Sequence, residues 1–179
     1  MGRSVRWMLG LGAVFMFPPM LQAQGRDSAS GVTDRPRAVQ HSDAYYTRLS
    51  IHRVGSYVIL PLFAGEYFLG NKLLDDNNVA GWVKPTHSVG AFSIATVFAV
   101  NTVTGLWNFL ESRHESEGKA RRVTHLALML ASEAGFVYTA SLAGDAGEDH
   151  EGGARHRNAA IASIGLSTVG TVMMWLWKN

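Results

Sequence analysis

Four apolar stretches, each long enough to cross a bilayer and each opening with a single histidine, constrain this chain more than any other feature. The histidines stand in Ile51-His52-Arg53, Thr86-His87-Ser88, Thr124-His125-Leu126 and Arg155-His156-Arg157. The stretches run from about 49 to 74, 86 to 110, 123 to 142 and 158 to 177. At about 1.5 Å per residue, each spans the ~30 Å of hydrocarbon in a membrane. They are apolar nearly all round and rich in Gly, Ala, Ser and Thr, as helices packing in lipid are. A soluble amphipathic bundle would need four polar outer faces, and Gly90-Ala91-Phe92-Ser93-Ile94-Ala95-Thr96-Val97-Phe98-Ala99-Val100 offers none. The fold expected is all-α: an integral membrane four-helix bundle running up-down-up-down, in a domain covering 49–179.

Residues 1–23 read as a signal peptide. Arg3 and Arg6 precede an apolar run from Trp7 to Phe17, then Pro18-Pro19 and Leu21-Gln22-Ala23. That run is too short to span, so cleavage after Ala23 is expected. Residues 24–48 form a polar lead without periodicity, closing with the interfacial pair Tyr45 and Tyr46. Location in the bacterial inner membrane, as a multi-pass protein, follows. The signal peptide puts the lead and the loop 111–122 outside, whereas their arginines would favour the reverse under the positive-inside rule.

Geometry pairs the histidines. An antiparallel bundle sets its first and third helices on one diagonal and its second and fourth on the other. His52 and His125 then share one membrane face, and His87 and His156 the other. A planar macrocycle held between two facing imidazoles suits each pair. The chain has no cysteine, which excludes covalent c-type haem, cysteine zinc sites, iron–sulfur clusters and disulfides. The cofactor expected is therefore haem b, two per chain and non-covalent. Gly55 and Gly90, one turn beyond their histidines, would leave room for a ring. Arg53, Arg155 and Arg157 would pair with propionates or anchor helix ends at headgroups.

Two carboxylates, Glu66 and Glu133, fall inside apolar segments, where they are either proton carriers or neutral hydrogen-bonded groups. Asn101 and Asn108 read as interhelical hydrogen bonders. The acidic stretch from Asp145 to Glu151 lacks calcium-loop spacing and reads as a solvated turn. No nucleophile elbow, phosphate loop, dinucleotide fingerprint or H-E-x-x-H motif occurs. A basic stripe with stacking aromatics is also missing, so nucleic acid is not an expected partner.

The four-histidine layout, with spacings of 35, 38 and 31 residues, resembles the core of the cytochrome b561 family, whose members are transmembrane diheme electron carriers. The resemblance covers about 52–177 and implies the metal-ligand role for His52, His87, His125 and His156. Motifs linked to ascorbate in eukaryotic members have no counterpart here, so that substrate is not implied. The stretches Asn101–Asn108 and Ala131–Phe136 also look like those of small bacterial membrane proteins with the same layout.

The function expected is transmembrane electron transfer by a diheme b-type cytochrome, a membrane oxidoreductase or electron carrier. Its partners would be membrane lipid and a quinone or redox protein. The alternative is a non-catalytic membrane subunit or assembly partner of a larger respiratory or photosynthetic complex. A small transporter built on Glu66 and Glu133 is weaker, since no inverted repeat with broken helices is visible.

Overall fold

The computed structural model describes residues 39–75 and 78–177; the signal peptide expected at 1–23 and most of the polar lead lie outside the described residues. Four helices account for most of the described chain: α1 (Asp43–Asp75), α2 (Val83–Glu111), α3 (Lys119–Ser141) and α4 (His150–Leu176), with one 3-10 turn at Asp145–Gly147. No strand occurs among the described residues.

Each helix begins earlier than its apolar stretch, because local chemistry at the polar flank supports helical turns. Ser42 Oγ accepts the Tyr45 N–H at 3.1 Å, which starts α1 six residues ahead of position 49. Pro85 sits in the first turn of α2, where its missing N–H costs nothing. Gly118 precedes α3 with φ of 64°, a left-handed conformation in which a side chain would be strained. Asp149 caps α4, its carboxylate accepting the Gly152 N–H at 2.6 Å. The acidic loop is thus only partly a free turn: its second half builds the first turn of α4, and Asp145 reaches Arg155 at 3.7 Å.

Antiparallel pairing is visible in the contacts along each seam. Between α1 and α2, Arg48 Nε donates to Asn108 Oδ1 at 2.7 Å, and Arg48 also meets Glu111. Between α3 and α4, Ser132 Oγ donates to the Ser163 carbonyl at 2.8 Å. Glycines let these seams close. A Cβ on Gly55 would stand 2.8 Å from Asn101 Cγ, and one on Gly90 would stand 2.7 Å from Glu66 Cδ. Across the bundle, Tyr57 stacks on Trp175 at 5.6 Å between α1 and α4. Thr102 Oγ1 donates to Glu133 Oε2 at 3.0 Å between α2 and α3. Glu133 is thereby a bridge between helices. The loop joining α2 to α3 is held by Arg122, which donates to the carbonyls of Glu115 and Glu117 at 2.9 and 2.7 Å.

Polar side chains are prominent inside this bundle, and large apolar ones on its outside. Glu66, Asn101, Thr104, Asn108, Ser132, Thr139, Ser163, Ser167 and Thr171 are buried, whereas Phe92 is 75% exposed and Phe68 71% exposed. Exposed valines occur on all four helices, with exposed aromatic or leucine side chains beside them. So much apolar surface on the outside matches an apolar surrounding. Two helices, α2 and α4, are long and apolar enough to cross a membrane.

At the centre lies a small aromatic core. Phe63, Phe98 and Phe136 pack with ring centres 5.2 to 6.2 Å apart, backed by Ile59 and Ile94. It separates the two ends of the bundle.

Candidate functional site

The four histidines lie inside their helices, at residues 52, 87, 125 and 156 of helices that begin at 43, 83, 119 and 150. That placement corrects the expectation that they open the helices. Each imidazole stands four to nine residues inside its helix.

The two diagonals bring them together. His52 faces His125 with ring centres 6.0 Å apart and planes at 78°. His87 faces His156 with ring centres 6.3 Å apart and planes at 67°. Two imidazoles binding one metal from opposite sides, each nitrogen about 2.0–2.1 Å from it and about 1.1 Å from its ring centre, stand about 6.3 Å apart centre to centre. The ring-centre spacing of both pairs is close to that value.

In the first pair the other ring nitrogens are engaged. His52 Nδ1 lies 3.0 Å from the Asn101 carbonyl oxygen and His125 Nδ1 lies 2.9 Å from that of Gly170. A carbonyl only accepts, so Nδ1 carries the proton and Nε2 keeps its lone pair. This is the tautomer a metal-binding histidine uses. In the second pair His87 Nδ1 lies 2.7 Å from Glu66 Oε2, within ion-pair range but not aligned as a hydrogen bond, and His156 Nδ1, near the Thr139 carbonyl, makes no hydrogen bond.

Equivalent positions recur in the two hairpins. His52, Phe63 and Glu66 of α1 correspond to His125, Phe136 and Thr139 of α3, a shift of 73 residues. His87 and Asn101 of α2 correspond to His156 and Gly170 of α4, a shift of 69. The two hairpins thus place these residues at equal offsets. Sequence reading missed this, because the equivalence lies in partners and spacing, while the residues themselves differ at most positions. A search for histidines with equal offsets to small or polar residues on the next helix is the signal that could have found it.

Each histidine pair opens into a cavity. The first, about 420 Å³, is lined by His52 and His125 together with Arg53, Arg121, Arg122 and Gly105. The second, about 370 Å³, is lined by His87 and His156 together with Lys84, Arg157 and Gly70. Both volumes fall within the roughly 300–1,000 Å³ of cofactor pockets. Among the described residues no group of three or more His, Cys, Asp or Glu side chains comes together to hold a bare metal ion. Two imidazoles alone leave most coordination positions of a metal to be filled by something else, and a tetrapyrrole fills four.

The remaining predicted contacts divide. Arg53 and Arg157 line the cavities. Arg155 is more than half exposed and pairs with Asp145, away from either cavity. Gly55 and Gly90 do not border the cavities; they admit Asn101 and Glu66 into the α1–α2 seam. The glycines beside the histidines are instead on the facing helix. A Cβ on Gly105 would stand 2.8 Å from His52 Cε1, whereas one on Gly70 would stand 3.6 Å from His87 Cε1. Alanine at Gly105 should therefore displace the His52 ring and loosen the α1–α2 seam, while alanine at Gly70 should fit in ordinary contact. Thermal unfolding of the two variants checks this: a lower midpoint is expected for Gly105→Ala alone, and equal midpoints would contradict it.

No protein-family model, no curated protein and no solved structure matches this chain.

Proposed function

We propose that this chain is an integral membrane electron carrier with four membrane crossings, holding one b-type haem between His52 and His125 and another between His87 and His156. The observation that carries the reading is the pair of facing imidazoles at 6.0 and 6.3 Å. The committed Nδ1 atoms of His52 and His125 strengthen it. Haem, when bound, supplies a one-electron ferric–ferrous couple. The chain's residues do the rest. At His52 and His125 backbone carbonyls fix the imidazole tautomers. Arg53, Arg121 and Arg122 at one cavity, and Lys84 and Arg157 at the other, supply cations for propionates. The phenylalanine core excludes water between the two sites.

The sites sit about 21 Å apart along the bundle axis, since Glu66 beside His87 lies fourteen residues beyond His52 on α1 and a helix rises about 1.5 Å per residue. Thr139 beside His156 lies at the same distance beyond His125 on α3. Placed so, the two cofactors would carry electrons across most of the hydrocarbon thickness, between a quinone or redox protein at one face and another redox partner at the opposite face.

The test is a reduced-minus-oxidised absorption spectrum of the detergent-purified chain, with haem extracted and counted. A low-spin b-type spectrum with two haems per chain is expected. A folded, helical chain that carries no haem after expression with ample haem supply would overturn the proposal and leave the non-catalytic subunit as the better reading.

A further inference from the structure

One of the four histidines has a neighbour unlike those of the other three. His52 and His125 face carbonyl oxygens of Asn101 and Gly170, and the Thr139 carbonyl flanks His156. These partners are neutral dipoles. At His87 the partner is the carboxyl group of Glu66, 2.7 Å from Nδ1. Its equivalent in the second hairpin is Thr139, whose side chain instead donates to the Gly135 carbonyl at 2.8 Å. Glu66 is buried, at 9% exposure. The seam is shaped to receive it: at Gly90 the carboxylate occupies the space a Cβ would take. Burying an acid in the α1–α2 seam is costly unless it meets a partner, and the ring nitrogen of His87 is the partner it meets.

We propose that Glu66 is a positioning residue that sets the redox potential of the second site, drawing it below that of the first. The inference rests on the proposed function. A carboxylate beside the distal nitrogen of an axial imidazole makes that imidazole a stronger donor to the metal and places negative charge near it. Both effects favour the ferric over the ferrous state. Burial magnifies them, because charges in a low-dielectric seam are weakly screened. The surroundings act in the same sense. Three arginines, Arg53, Arg121 and Arg122, line the first cavity and favour its reduced state, whereas Lys84 and Arg157 are the cations lining the second. Transfer from the second site to the first then moves one electron downhill, oxidising one haem and reducing the other with no proton and no further reactant.

The experiment is a potentiometric titration of the haem spectrum in the purified full chain. Wild type should give two waves. His52→Ala removes the first site without touching Glu66, and the wave that survives should be the lower one. Glu66→Gln keeps the side-chain shape and removes the charge; the lower wave should rise while the upper one stays in place. Survival of the upper wave in His52→Ala would overturn the inference. In Glu66→Gln, two unmoved waves or two equal shifts would do the same, with haem binding intact. If Glu66→Gln fails to fold, the His52→Ala assignment decides by itself. A wild-type chain without haem is a different failure: it overturns the proposed function and this inference with it.

Discussion

On the proposed reading, alanine at His87 should remove one haem and leave the other, taking the purified chain from two haems to one. The reason is geometric. His87 meets His156 at 6.3 Å, while the other pair lies about 21 Å away along the bundle, with Phe63, Phe98 and Phe136 between. Loss of one imidazole leaves the second cavity with a single ligand and a vacant coordination position. The first cavity shares none of its lining residues with the second, so its ligands and its low-spin spectrum should persist. Haem extraction against protein mass, together with the reduced spectrum, reads the result. Retention of two haems, or loss of both from a folded chain, would contradict the independence of the two sites.

The second large effect concerns packing. Alanine at Gly90 would place its Cβ within 2.7 Å of Glu66 Cδ and closer still to a carboxylate oxygen. Neither partner can yield easily, because Glu66 is buried and also meets His87. The helices must part or the carboxyl group must leave the seam. Overpacking of this kind costs about 1–3 kcal/mol, and a buried charge deprived of its partner adds to it. Thermal unfolding in detergent, followed by circular dichroism, should show a clear fall in midpoint. Alanine at Gly65, where no atom lies within 4 Å of the added Cβ, is the control and should unfold like wild type or slightly later.

The helical architecture was legible from sequence, because long apolar stretches separated by polar loops leave few alternatives. Their ends were not. Helices α1 and α4 reach six and eight residues further toward their N-termini than the apolar stretches do, since a polar turn closed by Ser42 or Asp149 is as helical as an apolar one. Juxtaposition of the histidines on two diagonals followed from chain direction alone. What surrounds them did not. Gly55 and Gly90 look, one turn from a histidine, like room for a ring; in the fold they make room for Asn101 and Glu66. A glycine in sequence announces a close approach, and only the fold names what approaches. Gly105 and Gly70 show the converse, since each serves a histidine on a different helix, some fifty and seventeen positions away. Glu66 stood out as an acid in an apolar segment, yet its meeting with His87 depends on how far α1 and α2 are slid past each other.

The three phenylalanines at the centre also act as an electrical insulator. On the proposed reading, water and ions are stopped there while an electron tunnels past, so the transmembrane voltage falls largely across the same slab that the electron crosses. A unit charge moved through a full membrane potential of 100 mV exchanges about 2.3 kcal/mol with the field, and a step of about 21 Å in about 30 Å would exchange some two-thirds of that. The carrier would thus be coupled to the energised state of its membrane: voltage of one sign would hold electrons back at the entry site, and the opposite sign would pull them through.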